Sequence, residues 1–323
     1  MMKIVRSRAI LTAVSAGLAL LAGALVPITS ATAGPAAAGP PGPNARLGTA
    51  YETVAENCGP LSTGALYGLR DNGELTWNQF TMSSDGSPTQ WAAPKTIATG
   101  WTGLVHFFGD GRTIYTIDPA GNLRWYGYSA PGTGDGSWLP GSGTVIDEGW
   151  NTLVKIAYAG GGVFYGVDTS GNLRWYRHTG YFDGTPAWTP GSSKIIDDGW
   201  GDTHALAAAG TFIYAAPTSG ILRWYRYDGA WTGEGSWAPN SGAMIDDGGW
   251  EQATSMRAYY QANFGPVIIR TLDAESTMRW YVHRGYNEGT AYWHPLSASI
   301  AAPVWPIPAA SGSSASVDAQ CAE

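Results

Sequence analysis

Apolar and polar positions alternate in short runs along most of this chain, and one version of that alternation keeps returning. Residues 151–200 contain the runs "TLVKIAYA", "GVFYGVD", "NLRWYRH" and "SKIIDDGW", separated by Gly-rich, Ser-Gly and Asp-Gly stretches. Short alternating runs bounded by turn residues predict β-strands, so each copy of the phrase supplies four. No segment shows sustained helical periodicity. In the third run, alternation puts Arg174, Tyr176 and His178 on one face, with Arg124, Tyr126 and Tyr128, then Arg223, Tyr225 and Tyr227, then Arg279, Tyr281 and His283 as counterparts. The first copy departs from this, with Thr76, Asn78 and Phe80.

Tryptophan marks the period. Trp77, Trp125, Trp175, Trp224 and Trp280 form one column. Trp91, Trp138, Trp188, Trp237 and Trp293 form a second, and Trp101, Trp150, Trp200, Trp250 and Trp305 a third. Only Trp231 of the 16 tryptophans stands outside them. Copies lie 47 to 50 residues apart through the fourth and about 56 at the last step, where an insertion falls near "YYQANFGP". A period near fifty with four strands is the signature of a propeller blade, and five copies predict an all-β, five-bladed β-propeller of four-stranded antiparallel blades. A solenoid would need polar caps and would give no reason to join its ends. The blades span approximately 47–101, 102–150, 151–200, 201–250 and 251–305, with a tail at 306–323. In this parse "AYETVAEN" forms the innermost strand of blade one.

The remaining segments bear on location and closure. Lys3, Arg6 and Arg8 precede an apolar run from Ala9 to Val26 and the triplet Ala31, Thr32, Ala33, the pattern of a signal peptide over residues 1–33. A flexible leader follows at 34–46, and a secreted, extracellular protein is expected. Without the signal, 15 basic groups face 25 acidic ones, a net charge near −10. That balance argues against nucleic acid and anionic membrane as main partners. Cys58 and Cys321 are the only cysteines, and in an exported protein they predict one disulfide clasping the ring. On the chain-entropy view such a long closure contributes on the order of 5 kcal/mol.

The repeated line, from "GW" through "YGVDTSGNLRWYRH" to "IIDDGW", resembles that of tachylectin-type lectins over residues 49–305. The resemblance implies a five-bladed propeller that binds N-acetylglucosamine or N-acetylgalactosamine in pockets between adjacent blades, without catalysis or cofactor. Those lectins carry an Asp-Asn pair before the second-column Trp. Here the positions hold Gly136-Ser137, Pro186-Ala187, Gly235-Ser236 and Ala291-Tyr292. Trp138, Trp188 and Trp237 stand beside that loop and join the candidate sugar-binding residues.

Acids before the third-column Trp are the other candidates: Asp147 and Glu148 with Trp150, Asp197 and Asp198 with Trp200, Asp246 and Asp247 with Trp250. A carboxylate accepts hydrogen bonds from neighbouring sugar hydroxyls while an indole face covers the C–H face of the ring. Asp-Gly turns and inter-blade wedges are the structural alternative. Ala98 and Thr99 replace the acids in the first copy, and Pro303 and Val304 in the last, which predicts three competent junctions. The Arg of the third run is expected to serve packing.

Enzymatic readings find less support. Glycoside hydrolysis needs one asymmetric pair of carboxylates, whereas these recur by symmetry. The five histidines have no metal-site spacing, and no Gly-x-Ser-x-Gly elbow or phosphate loop is present, so no metal or cofactor is implied. A secreted protein-interaction propeller is the alternative function.

Overall fold

A computed structural model describes residues 63–82, 88–260, 267–295, 297–302 and 316–319. It is a five-bladed propeller, with 21 strands among the described residues. Blade one holds β1 (Thr63–Leu69), β2 (Leu75–Met82), β3 (Pro88–Trp91) and β4 (Lys95–Ala98). Blade two holds β5 (His106–Asp110), β6 (Thr113–Ile117), β7 (Leu123–Gly127) and β8 (Thr144–Asp147). Blade three runs β9 (Leu153–Gly160), β10 (Val163–Asp168), β11 (Leu173–Arg177) and β12 (Lys194–Asp197). Blade four runs β13 (Thr203–Ala209), β14 (Phe212–Pro217), β15 (Leu222–Arg226) and β16 (Ala243–Asp246). Blade five runs β17 (Ser255–Tyr260), β18 (Val267–Leu272), β19 (Met278–His283) and β20 (Ser299–Ala302), and β21 (Ser316–Ala319) ends the series. The four runs read from the sequence in residues 151–200 are β9 to β12 in order, paired antiparallel.

Closure differs from the sequence parse. The short C-terminal strand β21 lies antiparallel against β1, pairing Ala65 with Ala319 through Gly68 with Ser316. Since β2 takes the other edge of β1, β21 holds the inner place in blade one, and residues 50–57, expected there from the sequence, lie outside the described residues. Strand β21 also touches β5 in parallel at Asp318 and Asp110, merging blades one and two into one sheet. The first and last described strands therefore share a blade, and their backbone hydrogen bonds close the ring. The signal sequence, the leader and both cysteines lie outside the described residues.

First-column tryptophans fill the space between blades. Trp77, Trp125, Trp175, Trp224 and Trp280 are all fully buried. Three of them donate their indole N–H to a loop carbonyl of the next blade: Trp77 to Pro131 at 2.6 Å, Trp125 to Tyr181 at 2.8 Å and Trp175 to Ala230 at 2.8 Å. The same loops lay a glycine on the ring. Gly184 has a left-handed φ of 76°, and a Cβ there would stand 2.4 Å from Trp125. Only glycine combines that backbone with so close an approach.

A second buried pattern alternates around the ring. The Tyr115 hydroxyl of blade two lies 2.9 Å from Nδ1 of His178 in blade three, and Nε2 of His178 lies 2.8 Å from the Thr185 carbonyl. Blades four and five repeat the arrangement with Tyr214, His283 and Thr290 at 2.9 and 2.8 Å. A carbonyl can only accept, so Nε2 carries the proton and Nδ1 accepts from the tyrosine. Blades two and four place Tyr128 and Tyr227 at the histidine position instead.

Candidate functional site

The outer strands β8, β12 and β16 each lead into an acid pair, and the chain then turns through glycine into the third-column tryptophan. After β8, Gly149 adopts a left-handed φ of 83° and a short 3-10 turn, Trp150–Thr152, leads into β9. Gly249 does the same before Trp250–Gln252. The turn swings the indole back beneath the next blade, where it meets two more rings. Trp150 lies 4.6 Å from Tyr176 and 5.6 Å from Trp188, centroid to centroid. Equivalent clusters join Trp101 with Tyr126 and Trp138, Trp200 with Tyr225 and Trp237, and Trp250 with Tyr281 and Trp293.

These clusters revise the part given to the third-column indoles. Trp150, Trp200 and Trp250 are 3 to 5% exposed, so almost no indole face is open for a sugar ring. Their apolar area is used to join blades. The second-column rings are half-buried, and Trp188 and Trp293 donate to the carbonyls of Ile146 and Ile245 on the preceding blade.

Within each acid pair the two members differ. Asp147 accepts the Trp150 indole N–H at 3.1 Å, and Asp197 accepts that of Trp200 at 3.0 Å. Asp246 accepts the backbone N–H of Asp247 at 2.9 Å. The second members, Glu148, Asp198 and Asp247, are exposed and have no side-chain hydrogen bond or ion pair to a described residue. The first acid orients the turn, while the second is left to solvent.

A cleft of about 550 Å³ opens between blades two and three. It brings Asp147, Glu148 and Trp150 together with Asp168, Arg174, Tyr176 and Ser193 of blade three. Asp198, Trp200, Asp247 and Trp250 occupy matching positions at the next two junctions, while Trp138 and Trp237 pack on the Tyr126 and Tyr225 rings and Trp188 on Trp150. Asp168 and Arg174 were not singled out together by sequence. Asp168 lies in the "DTSGN" turn, whose turn chemistry hid its second role. Burial pushes its carboxyl up, but hydrogen bonds from Asn172, Arg174 and Ser170 outweigh that and hold it at about 2. Arg174 donates Nε to Asp168 at 2.8 Å and Nη1 to the Ser193 carbonyl at 2.8 Å. Burial lifts the Tyr176 phenol to about 12, so it remains an O–H group.

The arrangement is thus an open cleft with exposed carboxylates on one wall, a fixed arginine and tyrosine on the other, and a packed aromatic floor. It makes this cleft the candidate inter-blade site of a repeat propeller. The Tachylectin family model matches residues 44–255, about two thirds of the sequence, and the chain belongs to that family. No curated protein matches it. Among solved structures it is similar to the BP39L lectin from Burkholderia pseudomallei, at 15% identity over 74% of this chain and 72% of that one, with a TM-score of 0.37. It is also similar to the SapL1 lectin in complex with alpha methyl fucoside, at 14% identity over 78% and 99%, with a TM-score of 0.33. A symmetrical protein from work on de novo evolutionary emergence matches at 15% identity over 76% and 99%, with a TM-score of 0.40.

Proposed function

We propose that the protein is a secreted, multivalent lectin that binds hexosamine-containing glycans at the acid-bearing blade junctions. The observation carrying this reading is the cleft in which Asp147 and Glu148 of one blade face Arg174 and Tyr176 of the next. Family membership supports carbohydrate binding, and the resemblance favours N-acetylglucosamine or N-acetylgalactosamine termini. Glu148, Asp198 and Asp247 accept hydrogen bonds from sugar hydroxyls, and the tyrosine and arginine of the following blade complete the pocket. Several weak pockets on one rigid ring raise avidity for a polymer or cell surface by a factor of about 100 or more where spacings match. No step of bond breaking is assigned to any residue.

The ring is proposed to be clasped by Cys58 and Cys321. Antiparallel pairing puts the start of β1 beside the end of β21, and the cysteines follow from those two ends in sequence. Alkylation without reduction, read by mass spectrometry, tests the clasp, and two labelled thiols would refute it.

Glycan-array binding competed by N-acetylhexosamine tests the lectin reading. Asp198→Ala, Glu148→Ala and Asp247→Ala in combination should abolish binding without lowering Tm. Absence of glycan binding at millimolar sugar would overturn it. One observation favours the alternative of a protein-docking scaffold: Ile195, Met244 and Ile300 occupy the same outer-strand position on three blades and are 47 to 55% exposed. Specific capture of a protein partner lost on Ile195→Ser and Met244→Ser, with no glycan bound, would establish that reading.

A further inference from the structure

Four blades each place one basic residue near the start of the inner strand. His106 opens β5, Lys155 is third in β9, His204 is second in β13 and Arg257 is third in β17. The acids of the inner strands lie toward the other end, where Asp110 closes β5 and Asp318 of β21 is its register partner. The axis of the ring is therefore basic at one mouth and acidic at the other. The basic mouth lies on the side of the Asp168 turn, because Asp168 is the register partner of Leu153.

Three of these residues are drawn together. Arg257 donates Nη2 to the Phe107 carbonyl at 3.0 Å. Blades five and two are not neighbours in the ring, so the guanidinium spans its axis. His106, the residue before Phe107, donates Nε2 to the Leu153 carbonyl of blade three at 3.3 Å, two residues from Lys155. Burial holds the His106 imidazole below its ordinary value; the Leu153 hydrogen bond opposes this, and the charges of Arg257 and Lys155 add to the lowering. Burial also lowers the Lys155 ammonium, which has no hydrogen bond or ion pair to a described residue. At the same end of β13, the Nε2 of His204 is buried with no hydrogen-bond partner.

A half-buried ammonium close to a guanidinium is costly without a counter-charge, and Lys155 pairs with none of the described carboxylates. We infer that the mouth formed by His106, Lys155 and Arg257 binds an oxyanion: a phosphate, sulfate or carboxylate group. Such a group accepts hydrogen bonds from the Lys155 ammonium and neutralises the cations drawn together on the axis. The site is separate from the inter-blade clefts and stands whether or not those bind sugar. Its anion is either a free ion or an acidic substituent carried on a glycan.

Nuclear magnetic resonance titration of the full chain with sodium sulfate at pH 6, against sodium chloride at equal ionic strength, tests the inference. The His106 ring signals should shift and saturate with a Kd of about 1 mM, the strength of a few charge-assisted hydrogen bonds. His178 and His283, buried at blade junctions, should stay unmoved. Bound sulfate should also raise the His106 titration midpoint, because it offsets the neighbouring cations. Lys155→Met should weaken binding at least about ten-fold, and Lys155→Arg should retain it. Inorganic phosphate and glucose 6-phosphate then separate the two sources. Tighter binding of the sugar phosphate assigns the site to an acidic glycan, equal binding assigns it to the free ion, and either result supports the inference. A His106 response no larger than that in chloride, or one unchanged in Lys155→Met, would overturn it.

Discussion

The junction between blades one and two and the junction between blades two and three share one aromatic cluster and differ in charge. Trp101 packs with Tyr126 and Trp138 much as Trp150 packs with Tyr176 and Trp188. Above the first cluster stand Ala98 and Thr99, and above the second stand Asp147 and Glu148. The ring packing is therefore independent of the acids. What repeats without exception among these described junctions holds blades together, and what varies faces solvent, where ligand chemistry operates.

The largest effects should follow from breaking the shared packing. Trp150→Ala should cost about 3–5 kcal/mol, since it empties a buried aromatic site, and Trp101→Ala should be destabilising too. Urea unfolding of both variants checks this, and a neutral Trp150→Ala would place the indole in the ligand site instead. Gly184→Val should cost about 3 kcal/mol or more through left-handed strain and a clash with Trp125.

Acid should loosen the two junctions that use histidine. Burial lowers His283 to about 4 and also lowers His178. The unfolded chain then takes up protons first as pH falls below about 6.5, so stability is full at neutral pH and declines through that window. For His283 the decline amounts to up to about 3 kcal/mol by pH 4. Unfolding midpoints measured between pH 7 and pH 4.5 test this, and His283→Phe should flatten the profile. An unchanged slope would remove His283 from the explanation.

Much of the architecture was legible because tryptophan spacing and two-residue alternation both act locally. The four strands of blade three coincide with the four runs read from residues 151–200. Ring closure was hidden, since β21 is a four-residue "SVDA" strand with no periodic signal of its own. Its pairing depends on a partner some 250 residues away in sequence. Residue types identified the acid pairs but not their division of labour, which depends on which carboxylate the turned indole can reach. The Tyr–His pairs had a readable trace: position 178 alternates with Tyr128, Tyr227 and His283 around the ring. Their meaning required knowing which blades are neighbours.

A smaller effect should sharpen the comparison from the other side. Ala98→Asp with Thr99→Glu gives the first junction the charges of the second and should cost about 1 kcal/mol, because Thr99 is exposed while Ala98 is half-buried against the cluster that holds Leu75 and Trp77. Calorimetry should then detect one additional weak site.

Stoichiometry on the unaltered protein is the most direct test of the central claim. Titration with a monovalent hexosamine should give one site for each of the three acid-bearing junctions. Asp147→Asn with Glu148→Gln should remove one of them and leave the other two. A count equal to all five repeats, or no binding at all, would contradict the assignment of ligand binding to the acid-bearing junctions.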